Sequence, residues 1–327
     1  MLSLLKTLTE HRSVGAVDFS SDGLKFATGG LNRDNSIRVW DCRTLEPVAR
    51  LRGHKKRITS LAFARDTSTL VSSSADRTVA VWDLARAQLV ASHGAHKKIV
   101  NHVACSGMQQ LLIASGGQDG MLCLWEHDSG VPPRSIAAHR GGVNAVAFSP
   151  SGNIIVTGGG IERGDFSVQV RDLGSDRVIR TLTGHSDWPL WVGFSHRGDL
   201  LASGSYGEIC IWDARSWRLL IVLRRPDSLR FSTIAFSFTS DPRTFVSGGW
   251  AHEDEKVEVR DTSGSLVGWN FKRKGLIQLW DLATGQLRDS FPAHDNALTC
   301  LAASPTEGIL VTAGVDGVTK AWSLWDD

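Results

Sequence analysis

Serine, histidine and aspartate recur together along this chain of 327 residues. His54, Ser72 and Asp76 form one set, His96, Ser115 and Asp119 a second, and His294, Thr312 and Asp316 a third. A hydroxyl, an imidazole and a carboxylate are the parts of a nucleophilic triad, in which the carboxylate orients the imidazole and the imidazole takes the hydroxyl proton. One copy would suggest a hydrolase. Repetition argues against it, because a catalytic set is needed once and geometry, not residue type, fixes the role. A tryptophan also follows each set: Trp82, Trp125 and Trp322. Nothing outside the repeated residues supplies a nucleophile, base and oxyanion site, so no enzyme and no cofactor are expected.

The tryptophans close strand-like runs that end in an acid: SIRVWD (36–41), TVAVWD (78–83), MLCLWE (121–126), EICIWD (208–213) and LIQLWD (276–281). Weaker copies are SVQVRD (167–172) and VTKAWS (318–323). The key positions are 40, 82, 125, 171, 212, 280 and 322, a period in the low forties with one longer step between 212 and 280. Each unit opens on Gly-His or Ala-His and continues with an alternating strand such as VNAVAFSP (143–150). A second strand ending LVSSSAD (70–76) or LIASGGQD (112–119) comes next, then the Trp-Asp strand and a fourth strand. Four short strands joined by Gly, Ser and Asp turns make one antiparallel sheet per unit.

Gly-His, Ser-Gly-x-x-Asp and Trp-Asp in this order and spacing resemble the WD-repeat (WD40) family of β-propellers, over essentially the whole chain. The resemblance implies an all-β, seven-bladed β-propeller with four-stranded antiparallel blades, whose strands run a to d from the centre outward. It also implies that Trp, Ser or Thr, His and Asp form a buried hydrogen-bond chain in each blade. A lone sheet cannot bury both faces, and radial packing covers them. LLKTLTEH (4–11) reads like VIRTLTGH (178–185), a fourth strand, whereas the last unit stops after its third. The N-terminal strand is therefore expected to complete blade seven and close the ring, which removes an open edge. One domain over 1–327 follows. Several units depart from the pattern. Unit one has His11, Thr28, Asp34 and Trp40 with a longer turn, and Arg171 replaces the tryptophan of unit four. Tyr206-Gly207 stands where unit five should carry its acid, and Arg225-Pro226 stands near the expected Gly-His of unit six. Blades four to six are thus expected to be less well tied.

The composition fits a soluble globular chain, 42% hydrophobic and 21% charged, with 33 Gly and 12 Trp serving the repeat. The net charge of +2 gives no nucleic-acid signal by itself. Five cysteines without a CxxC pair point to neither a zinc knuckle nor a disulfide framework, and favour a reducing compartment. MLSLL is too short for a signal-peptide core, and no apolar run approaches the ~18 residues of a membrane span. An intracellular protein of cytoplasm or nucleus, without membrane contact, is the expectation. His93, His96 and His102 suggest a metal only superficially, since His96 belongs to the repeat and strand parity spreads the other two.

Charge clusters locally. In a four-strand meander the d–a and b–c connections share one face. There the d–a loops carry Arg12, Lys55, Lys56, Arg57, Lys97, Lys98 and Arg140, while Asp187, Asp227 and Asp295 lie across the ring. Such a sector would attract an acidic or phosphorylated segment, or the phosphates of a nucleic acid. Trp188 and Trp250, with Arg230 and Phe231 near, could form an aromatic hot spot beside the central opening, or could pack under loops. The excess of the long step falls mostly in 251–275 of blade six, and its alternation predicts an inserted loop or hairpin. In another register VEVRD, not LIQLWD, would be the third strand of blade six. Trp-Asp-x-Arg occurs at Arg43 and Arg215, and looks like the motif by which some family members join cullin-RING ubiquitin ligases.

The expected function is a non-enzymatic scaffold, a monomeric ring that docks proteins or peptides on one face within a larger complex. A ubiquitin-ligase substrate receptor and a nucleic-acid-associated subunit are the alternatives.

Overall fold

Seven sheets of four antiparallel strands make up the structure. This computed structural model describes every residue except 1, 10–12, 33, 95, 108–109, 161–165, 225–230, 261–265 and 326–327, and every remaining side chain except those of 231–234, 252–260 and 266–272. Blade one comprises Val14–Phe19, Lys25–Gly30, Ser36–Asp41 and Pro47–Arg52, and blade two Ile58–Phe63, Thr69–Ser74, Val79–Asp83 and Gln88–His93. Val100–Cys105, Leu112–Gly117, Met121–Glu126 and Arg134–Ala137 form blade three, and Val143–Phe148, Ile154–Gly159, Val168–Asp172 and Arg177–Leu182 form blade four. Blade five is Trp191–Phe194, Leu200–Gly204, Glu208–Asp213 and Leu219–Arg224, and blade six Phe231–Phe238, Thr244–Arg260, Leu266–Asp281 and Leu287–His294. Blade seven takes Leu298–Ala303, Ile309–Gly314 and Thr319–Ser323 from the end of the chain and Ser3–Leu8 from its start.

Ring closure is thus the expected one. Leu4 pairs with Trp322, Lys6 with Ala321 and Leu8 with Thr319. Apolar residues lie on both faces of the middle strands, so each blade needs a neighbour on either side. Ile37, Val39 and Leu51 of blade one pack with Ile58, Leu70 and Trp82 of blade two. Corresponding clusters fill the other junctions, and Leu8 joins Phe26, Trp40 and Val311 where blades seven and one meet. Outer strands bury little: Leu5 is 50% exposed, but Leu8 only 5%.

The innermost strands carry a feature that the repeat pattern did not announce. Most of them shift register after their first residue, at Val14/Ala16, Ile58/Ser60, Val100/His102, Val143/Ala145 and Leu298/Cys300. A bulge re-aims the extra side chain. Here that side chain reaches the next blade: Thr59 Oγ1 donates to the Val100 carbonyl at 2.6 Å, and Asn101 Nδ2 to that of Val143 at 3.0 Å. Asn144 reaches Pro189, and Thr299 reaches Val14 across the closure. Blade one has Gly15 at this position and makes no such bond.

Blade six is interrupted by a long ribbon. Its second and third strands stay paired out to Arg260 and Leu266, whereas the first strand accompanies them only to Ala251 and the fourth only to Gly275. Trp280 lies between Phe245 and Leu287, so LIQLWD is the third strand and VEVRD continues the second. No helix among the described residues is long and apolar enough to cross a membrane.

The closure predicts a contrast between two leucines of one strand. Leu8→Ala should cost about 2–5 kcal/mol by leaving a cavity in a shared core, and Leu5→Ala less than about 0.5 kcal/mol. Chemical denaturation of both variants measures the difference; equal effects would mean that the first strand adds nothing to the ring.

Candidate interaction surface

The three sets that look catalytic have triad-like geometry. In blade two, His54 Nδ1 lies 3.0 Å from Asp76 and Nε2 lies 2.8 Å from Ser72 Oγ, while the Trp82 indole donates to the same hydroxyl at 2.8 Å. An ionised carboxylate accepts only, so Nδ1 carries the proton. Nε2 then accepts from Ser72, whose oxygen accepts from Trp82. His294, Asp316, Thr312 and Trp322 repeat the chain in blade seven. Burial removes the chemistry: Ser72, Ser115 and Thr312 are fully enclosed, out of reach of any substrate. Glycine at the end of the second strand lets the imidazole in, since a Cβ on Gly117 or Gly159 would collide with His96 or His139.

The same carboxylates set the shape of the basic loops. Asp76 also accepts the Lys55 N–H at 2.8 Å, and Asp119 that of Lys97 at 2.8 Å. Ser74 Oγ donates to the carbonyls of Lys56 and Arg57, and the Gln118 N–H to that of Ile99. In blades two and three the d–a loop is therefore bound to the b–c turn of its own blade, and both connections share one face. Lys55, Lys56, Arg57, Lys97, Lys98 and Arg140 are all exposed there, on blades two, three and four. Arg12, Asp227 and Arg230 lie outside the described residues. Burial opposes ionisation of Asp76, but hydrogen bonds from His54, Thr78 and the Lys55 amide outweigh it and hold the carboxyl well below the ordinary range. Asp119 and Asp316 shift the same way.

Several departures from the repeat resolve differently from expectation. Blade five does not lack its acid: Glu208 reaches back toward His185 Nδ1 at 3.6 Å, accepts the Ser186 N–H at 2.7 Å and pairs with Arg224 at 2.7 Å. The longer side chain compensates for a shift in position, which spacing alone concealed. Blade three, complete in sequence, leaves the Trp125 indole N–H without a partner. In blade six Gln278 takes the place of histidine, accepting from Ser247, which in turn accepts from Trp280. Arg171 of blade four bonds the Asp176 carbonyl at 2.8 Å.

The tryptophans do not form one cluster. Trp188 is half-buried with its indole nitrogen enclosed and unpartnered. Trp250 lies under the Arg273 guanidinium, 4.4 Å from the ring centre. Among the described residues the two rings make no contact with each other. Arg43 and Arg215 occupy c–d turns on the opposite face, in blades one and five; Asp41 and Asp213 shape those turns by accepting their backbone N–H groups. The Arg43 side chain stands 3.5 Å from Glu307. Among the described residues no three potential ligands gather into a metal site. His93 instead packs on Trp125 and His102 on Trp191. The cysteines are free, with Cys300 pushed up to about 12 by burial.

Beside the basic loops, a cavity of about 330 Å³ opens at the mouth of the central channel, lined by Arg57, Asn101, Gln118, Asn144, Trp191 and Tyr206 among others. The sequence reading passed over its amides. The signal was a polar residue recurring second in the inner strand, at positions 59, 101, 144 and 299.

The buried relay predicts an acid-sensitive fold. The folded pKa of Asp76 lies below the unfolded value of about 3.9, so its contribution is complete above that pH and drains away as pH falls below it. Asp76→Asn should lose about 1–3 kcal/mol at neutral pH and show a flatter fall in Tm below about pH 4. Parallel Tm–pH curves for the two proteins would refute the assignment.

Comparison with known proteins agrees with this geometry. Residues 2–41, 45–83, 87–126, 130–172, 176–213 and 285–323 match the family described as WD domain, G-beta repeat. The unmatched stretch holds most of blade six. Protein NEDD1 of Homo sapiens is 21% identical over 279 residues, covering 84% of this chain and 41% of that protein. Protein LST8 homolog of Drosophila melanogaster is 28% identical over 229 residues, 67% of this chain and 72% of that protein. The Periodic tryptophan protein 2 homolog of Dictyostelium discoideum is 25% identical, with 64% of this chain covering 20% of that protein. The chain thus spans less than half the length of two of these relatives. Six matched repeats, seven sheets and a shared buried relay place the chain in the WD-repeat family of β-propellers, whose members are typically non-catalytic platforms for protein–protein contact.

Proposed function

We propose that this propeller docks an acidic or phosphorylated protein segment across the d–a/b–c face of blades two to four. One observation carries the reading: consecutive blades expose Lys55-Lys56-Arg57, Lys97-Lys98 and Arg140, and in blades two and three a buried carboxylate fixes the loop backbone. A fixed array presents its charges without paying to order the loops on binding, which favours affinity. Lysine and arginine recognise carboxylate and phosphate through charge-assisted hydrogen bonds. Exposed charge of this kind also steers encounter and weakens with salt. Trp188 at the neighbouring d–a loop adds apolar area at the rim of the same face.

Reversing Lys55, Lys56, Lys97 and Lys98 to Glu should abolish recovery of the co-purifying partner while leaving Tm within a few degrees of wild type. Partner recovery in wild type should fall as salt is raised. Undiminished recovery by the charge-reversed ring refutes the reading. Retention of the wild-type ring on heparin, with no protein partner lost on reversal, would transfer the surface to nucleic acid.

A further inference from the structure

Below the mouth lies a second cavity of about 220 Å³, whose wall includes an acidic side chain with no opposite charge among the described lining residues. Asp18 is the last-but-one residue of the innermost strand of blade one. Strand pairing aligns it with Ala62, Ala104, Ala147, Gly193, Ser237 and Ala302 in the other blades. Six positions are small or neutral and one is a carboxylate. A structural duty does not account for the difference. Asp18 Oδ2 accepts the Phe63 N–H of the next blade at 2.8 Å, and Ser237 does the same for Ala303 at 3.1 Å with a neutral hydroxyl. What aspartate adds to this bond is charge.

That charge has no answer among the described residues of the wall. No lysine or arginine among the described residues lines the cavity. The two imidazoles that do, His102 and His196, are pushed toward their neutral forms by burial, His102 down to about 4. Burial pushes Asp18 itself up to about 7, as expected for a carboxylate enclosed without an opposite charge. Aromatic and hydrogen-bonding groups surround the same space. His102 of blade three and Trp191 of blade five meet edge to face, with ring centres 5.9 Å apart. His102 Nδ1 is enclosed and has no hydrogen-bond partner. The Phe236 ring lines the cavity as well. Gly15, Thr59, His102 and Trp191 border both the deep cavity and the mouth, so a ligand entering from the basic face meets the deep site next.

We propose that the channel binds a guanidinium group, held by the Asp18 carboxylate and covered by the Trp191 and Phe236 rings. Guanidinium suits this lining better than ammonium. It is planar, weakly hydrated, offers several donors in one plane and stacks on aromatic faces. An arginine side chain of a partner and a free small guanidine share this chemistry. The site stands apart from the lysine loops and does not depend on their being a docking surface.

The test is calorimetric titration of the full chain with butylguanidinium and with its neutral isostere butylurea. Wild type should favour the cation by about ten- to a hundredfold, the worth of one charge-assisted hydrogen bond. Asp18→Asn, which can still accept the Phe63 N–H, should erase the preference with an unchanged Tm. Asp18→Ser, which copies the bond made by Ser237, serves if the asparagine variant does not fold. The ring with Lys55 and Lys56 reversed to Glu should keep the preference, which separates this site from the docking face. An acidic peptide containing one arginine distinguishes the sources: tighter binding than butylguanidinium means that a partner presents the group, and equal binding means a free small molecule. No preference in wild type, or one that survives in both Asp18 variants, overturns the proposal.

Discussion

A sheet that is apolar on both faces cannot stand alone in water, and this constraint governs the molecule. Ile37 and Val39 are buried only because blade two covers them, and Trp82 only because blade one does. The arrangement is stable when every blade has two neighbours, and only a closed ring gives that to all of them. Closure then dictates the rest. It brings the first strand to the last sheet, gathers the innermost strands around a channel, and turns all d–a loops toward one face.

Buried polar groups convert this packing into a defined surface. A hydrophobic interface tolerates sliding, whereas a histidine held between a carboxylate and a hydroxyl does not. Because Asp76 and Asp119 also accept the first lysine amide of their loops, the groups that lock the strands also fix the outer loops. The inter-blade bonds of Thr59, Asn101, Asn144 and Thr299 do the same at the channel rim. Core and candidate surface are therefore one hydrogen-bonded system.

Most of the fold was legible because it is repeated: Trp40, Trp82, Trp212 and Trp280 marked third strands, and the phrase shared by residues 4–11 and 178–185 marked the closure. Single deviations were harder to read. Glu208 was missed because a glutamate one step late reaches where an aspartate would not. Trp125 was expected to be bonded, since spacing reports presence and not orientation. The channel was the least visible part. Its wall draws short stretches from separate blades, and the exceptional character of Asp18 emerges only when pairing aligns it with six small residues.

The seventh blade is assembled from the two extremes of the described chain. On the ribosome, the strand carrying Leu4 and Leu5 emerges before the rest of the ring and has no sheet to join until Ser323 has been made. It must wait, unpaired and sticky, through the synthesis of six other blades. A transcript cut short before that point yields a crescent with two raw ends rather than a smaller ring, so the architecture itself discriminates between finished and unfinished copies.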